Sequence, residues 1–180
     1  MLRDDGFPFL FRLAVATLLL ALVAILATLL QPVFGYTPLW PATALGLGLM
    51  WRHGFAYWPA PFMANIANAL WSGVPKWYLV LGSASLELLV ALIAYILLTR
   101  YGIRRSLQGA NHLAAFTVVA AVATLPIAIV FPAVMIIEFG NEPLPMFMRG
   151  ATYWMSSFFC MMIFTPLVVT AKYLEQLGRE

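Results

Sequence analysis

Hydrophobic positions along this chain do not alternate with polar ones. They run in long neutral blocks, and most of the charged residues gather in short turns between them. The first block, 10–30, is nearly all Ala, Leu, Val and Ile, and Pro32 and Gly35 stop it. Further blocks cover 39–51, 55–71, 77–98, 113–137 and 146–171, with Ser72, Gly73, Val74 and Pro75 closing the third. Pro126 and Pro132 fall inside the fifth block, where each removes a backbone donor and predicts a kink. The polar stretch 172–180 is expected to extend the last helix. Roughly 20 apolar residues cross a bilayer, so the pattern predicts an all-α polytopic transmembrane bundle of about six helices, one integral membrane domain over 1–180. The second block is short: 13 residues reach only about 20 Å as a helix. The stretch 31–38 is therefore expected to dip into the membrane beside it. No small-residue cleavage site follows the first apolar stretch, which reads as a retained helix and not a signal peptide.

Charge orients this bundle. Only 9% of the 180 residues are charged, against roughly 25% in a soluble domain. With six spans and the N-terminus inside, the inner segments hold Arg3, Arg12, Arg52, Arg100, Arg104, Arg105, Lys172 and Arg179, and the outer loops hold Lys76 and Arg149. Eight against two is a positive-inside bias that places both termini in the cytoplasm. Merging the second and third blocks would bury Arg52 and His53 in lipid, at about 2.5–3.5 kcal/mol for the arginine alone. Trp40, Trp51, Trp58, Trp71 and Trp77 stand at block ends, as interfacial anchors do. Scattered basic residues do not make a nucleic-acid stripe. The single cysteine, Cys160, excludes an intrachain disulfide and a zinc cluster.

Few residues could carry chemistry. Glu87 sits near the middle of the fourth block, where a carboxylate is costly unless protonated, paired or wetted, and an intramembrane acid is a functional candidate by default. Asn65 and Asn68 lie three apart on the third block, near one helix face. Ala60, Ala64 and Asn68 recur every fourth residue, a small-residue stripe with an Asn able to bond across a helix contact. Packing is the favoured reading there, and a polar ligand pocket is the other. Ala42, Gly46 and Gly48 are packing positions by the same logic. Ser156 and Ser157 can bond back to their own helix or across to another. His53 and His112 lie at cytoplasmic helix ends, where solvated histidine is the norm and a haem is not expected. Glu138, Glu142 and Arg149 are expected to pair in the outer hairpin. Aspartate is absent beyond Asp5, and no nucleophile–base set, phosphate loop or metal spacing appears. Neither an enzyme nor a cofactor is expected.

Several motifs occur in a recognisable order. Trp40-Pro41-Ala42-Thr43-Ala44-Leu45-Gly46 resembles the Trp-Pro-x-x-Gly helix opening of the first membrane-associated sensor (MASE-type) domain family. The basic turn 52–55, Trp58-Pro59, Asn68 and the helix of Glu87 continue that pattern. Tyr153-Trp154-Met155-Ser156-Ser157 and Thr165-Pro166-Leu167 are similar to its Trp-Trp-x-Gly-Asp and Pro-Leu-Leu ending. The resemblance covers about 40–169. It implies a sensory domain in which Glu87, Asn65, Asn68, Trp40, Trp154 and Ser157 are candidates for ligand binding or signalling. Ala44 stands for a family Gly, Ala84 for an Asn, Ser156-Ser157 for Gly-Asp, and Cys160 for a Gly. Loss of that Asp removes the second intramembrane acid; if that acid helps sense a ligand in the family, the departure implies that this chain senses something else, or nothing. The family often continues into a histidine kinase or diguanylate cyclase, so this chain is expected to be a sensor whose output lies elsewhere or was cut away.

The resemblance thus favours a signal-input domain that detects a small ligand or membrane state and signals through its cytoplasmic C-terminal helix. Its expected partners are the lipid bilayer, a further copy of itself, and a cytoplasmic histidine kinase or diguanylate cyclase. A substrate-binding subunit of a small-molecule transporter and a membrane anchor or assembly protein are the alternatives.

Overall fold

The computed structural model describes residues 6–30, 40–104, 107 and 109–177, with side chains between 8 and 170 of these. Six helices follow one another: α1 (Gly6–Leu29), α2 (Pro41–His53), α3 (Pro59–Trp71), α4 (Trp77–Arg100), α5 (Ala110–Phe139) and α6 (Pro143–Leu177). Helix accounts for 88% of the described residues, and none of them is in a strand. Four stretches are long and apolar enough to cross a bilayer: Pro8–Leu29, Trp77–Arg100, Ala110–Phe139 and Pro143–Thr170. The chain is an all-α, multi-pass membrane protein.

The second and third blocks form two separate helices of 13 residues each, about 20 Å long against a hydrocarbon core of about 30 Å. Neither reaches spanning length, so among the described residues four of the six helices are long enough to span, where the pattern predicts about six spans. Gly54, at φ +105°, ends α2, a conformation glycine adopts without the Cβ penalty. Phe55–Tyr57 then winds as a single 3₁₀ turn. Helix α3 therefore starts at Pro59, not at residue 55, because a proline lacking N–H fits the first helical turn. Helix α5 begins three residues earlier than the pattern predicts, and α6 continues through Leu177. The expected membrane dip at 31–38 lies outside the described residues.

Helix α2 is the central element. It packs against α1, α3, α4 and α6, and nine of its thirteen residues are buried. Two glycines on opposite sides make this possible. A Cβ on Gly46 would fall 2.5 Å from Pro61 Cβ of α3, and one on Gly48 would fall 2.7 Å from Val168 Cβ of α6. Positions 46 and 48 are two apart, roughly opposite on a helix of 3.6 residues per turn, so each opens a different face. Helices α2 and α6 run parallel: Trp40 meets Cys160, Ala44 meets Thr165, and Gly48 meets Val168. Ala60 and Ala64 of α3 share a cluster with Leu20 of α1, as the small-residue stripe predicts. Gly150 of α6 rests on Pro132 and on the Ala128 carbonyl, which Pro132 deprives of its helical donor.

The helices alternate in direction, so like charges collect. Arg12 and His53 line one groove, Arg52 donates to the Val168 carbonyl at 3.0 Å, and Leu98 and Ile103, flanking Arg100, share a core with Trp51 and Phe116. Lys76 lies at the opposite end, bound to Glu138 near the last turn of α5. We predict that Gly48→Leu, by overpacking the α2–α6 seam, destabilises the bundle by about 1–3 kcal/mol. Denaturant titration in mild detergent measures this, with Gly82→Leu, at a site open on all sides, as the neutral control.

Candidate functional site

Glu87 projects from the middle of α4 toward the N-terminal half of α2. There the Thr43 hydroxyl donates to its Oε2. Thr43 is buried to 2% exposure and Glu87 is partly buried. An acid in hydrocarbon is retained when a polar group answers it, and Thr43 is that group. On either side of Glu87 along α4, Ala84, Val90 and Ala91 are buried, so the carboxyl is an isolated polar point in an apolar wall.

The α2–α6 seam carries the next polar groups. The Trp40 N–H, at the cap of α2, donates to Cys160 Sγ at 3.1 Å. Cys160 is buried, hydrogen-bonded with Ser156, and within electrostatic reach of Glu87. Further along the same seam, the Thr165 hydroxyl donates to the Ala44 carbonyl at 2.9 Å. Trp40 Nε1 and Ser157 Oγ are buried without a hydrogen-bond partner among the described residues; Ser157 stands one turn before Cys160. A buried donor or hydroxyl of this kind calls for a polar companion such as a water or ligand atom. The N-terminal part of α2 thus makes two polar contacts, Thr43 with Glu87 of α4 and Trp40 with Cys160 of α6.

The remaining candidates lie elsewhere. Asn68 Oδ1 accepts from the Thr28 hydroxyl of α1 at 3.1 Å, the bond across a helix contact that its stripe predicts. Asn65 Nδ2 donates to the Pro61 carbonyl at 2.9 Å, one turn back in its own helix, and its Oδ1 is unpartnered. Trp154 Nε1 donates to the Ala121 carbonyl at 3.1 Å, tying α6 to α5 beside the backbone that Pro126 interrupts. The hairpin between α5 and α6 differs from expectation: Glu138 bonds Lys76 at 2.8 Å and the Tyr78 hydroxyl at 2.9 Å, not Arg149. Antiparallel α4 and α5 bring the start of one beside the end of the other, a contact across some sixty residues of sequence. The hydrogen bond to Glu138 holds the Lys76 ammonium above its ordinary pKa. The pair is exposed and therefore contributes little to stability.

Sequence reasoning passed over Thr43, Thr28 and Thr165. Threonine is unremarkable in a membrane helix, since its hydroxyl can bond its own carbonyl four residues back, as Thr17 and Thr124 do. Only the tertiary contacts distinguish Thr43 and Thr165 from these. Among the described residues no cluster of His, Cys, Asp and Glu could hold a metal ion. No family model matches the chain, and neither do the curated proteins or the solved structures.

Removing the α1–α3 bond tests its packing role. Asn68→Leu is expected to lower stability by about 0.6 kcal/mol, and by no more than about 1.7 kcal/mol, the range for hydrogen bonds between membrane helices. A double-mutant cycle with Thr28→Val, read by unfolding in detergent, isolates the coupling.

Proposed function

We propose that this chain is an integral membrane signal-input domain, with Glu87 and Thr43 at its sensing point and α6 as its output. The observation that carries the reading is the Glu87–Thr43 contact, set on a central helix packed along α6. Helix α6 continues without a break from Pro143 to Leu177, into the polar stretch of sequence that begins at Lys172. A stimulus that favours one arrangement of α2 shifts its position against α6 and hence the part of α6 outside the membrane. Transmission requires differential binding: a ligand of equal affinity for both arrangements moves nothing. The MASE-type motifs support the same reading, because their residues meet around α2: Trp40 with Cys160, Thr43 with Glu87, and Ala44 with Thr165.

In this reading all six helices traverse the bilayer or most of it, both ends of the chain face the cytoplasm, and the membrane is a bacterial inner membrane. The grouping of Arg12, Arg52 and Arg100 at one end of the bundle supports that orientation. The output partner is a cytoplasmic histidine kinase or diguanylate cyclase, and the stimulus is a small ligand or a change in the membrane.

Fusing the chain to a kinase module tests this. Glu87→Gln is expected to flatten the response of kinase activity to stimulus and to pH, and Thr43→Val to alter it in the same direction. A Glu87→Gln fusion that responds as the parent does across pH removes Glu87 from the mechanism. Reporter fusions after residues 104 and 172 are expected to be active only as cytoplasmic fusions.

A further inference from the structure

A groove of about 520 Å³ runs along the side of the bundle between α1 and α2, with Val168 contributed by α6. That volume falls within the roughly 300–1,000 Å³ of small-molecule sites. Its walls are apolar from Val15 to Val23 on α1 and from Leu45 to Leu49 on α2. Its polar residues all lie at one end: Arg12, His53 and Tyr57. Among the described residues Arg12 has no carboxylate partner and no acidic residue lines the groove. From Arg12 to Val23 the helix rises about 16 Å, half of a hydrocarbon core of about 30 Å. The groove is thus about as long as one leaflet is thick, and its cation lies at one end.

We propose that this groove binds an anionic phospholipid of the leaflet at the basic end, with an acyl chain lying between α1 and α2 and the phosphate against Arg12. Charge complementarity selects the occupant. A guanidinium offers a forked pair of donors to phosphate oxygens, and an anionic headgroup carries no cation of its own to offset them. The groove borders the seam between α2 and α6, since Val168 lines it and also packs on Gly48. An occupied groove therefore adds contacts to that seam. The proposal requires only that the bundle spans a membrane, and it stands apart from the role of Glu87.

Native mass spectrometry of the detergent-purified chain, titrated with dioleoyl phosphatidylglycerol or dioleoyl phosphatidylcholine, tests it. Phosphatidylglycerol is expected to bind more tightly. Arg12→Gln is expected to weaken phosphatidylglycerol about fivefold, the effect of one basic residue at an anionic membrane surface, and to leave phosphatidylcholine unchanged. Val15→Trp, at an exposed wall position, is expected to fill the groove and weaken phosphatidylglycerol. Equal binding of the two lipids overturns the proposal. So does phosphatidylglycerol binding unchanged in Arg12→Gln, or full competition by millimolar inorganic phosphate, which would locate an anion site without an acyl groove. Arg12 is exposed, so its variant keeps the test decisive if Val15→Trp fails to fold.

Discussion

The close approach of α2 to α3 on one side and α6 on the other is the constraint on which the structure depends. Between membrane helices no hydrophobic effect drives association, because lipid tails are as apolar as the side chains they would replace. Packing must do it, and packing at short range needs bare backbone. Gly46 and Gly48 supply bare backbone on two faces of one helix, and Pro61 and Val168 occupy the space released. A helix of 13 residues, too short to cross the bilayer unaided, is held in the middle of the bundle by these two contacts and by its burial.

That arrangement also explains how an acid is tolerated. Glu87 belongs to α4, a helix with apolar buried positions on either side of it. It meets a hydroxyl because α2 reaches α4 at Thr43, and α2 reaches α4 because its other faces are seated on α3 and α6. Moving α2 by one residue would replace Thr43 by Ala42 or Ala44 opposite the carboxyl and leave it unanswered. The same register sets Trp40 against Cys160 and Ala44 against Thr165, so the polar contacts of the seam and the partner of Glu87 are consequences of one helix position. Prolines act in a parallel way in the α5–α6 hairpin. Pro132 bares the Ala128 carbonyl, and Gly150 lets α6 rest on it.

Charge works at longer range than packing and is indifferent to its detail. The basic residues gather at one end of the bundle because the helices alternate direction, whichever side chains interlock between them. The opposite end holds a different kind of contact. Lys76 and Tyr78 at the start of α4 share one oxygen of Glu138 near the end of α5, fastening two helices where water screens the bond and where little stability is at stake.

Much of this was legible from residue order alone. Neutral stretches long enough for lipid, and the charged turns between them, determined the helical class and roughly where the described helices lie, because transfer into hydrocarbon depends on local composition. The every-fourth-residue stripe ending in Asn68 announced a close contact, and Glu87 announced itself by its cost. Partner identity was not legible. Thr43 looks like Thr17 or Thr124, and Glu138 stood nearer in sequence to Arg149 than to Lys76. The start of α3 at Pro59 turned on the conformation of Gly54. Which hydroxyl answers the acid, which cation answers Glu138 and which helices enclose the groove beside Arg12 are relations between segments tens of residues apart. They exist only once packing has chosen which faces touch, since a side chain carries its chemistry in the sequence but acquires its neighbours from the fold.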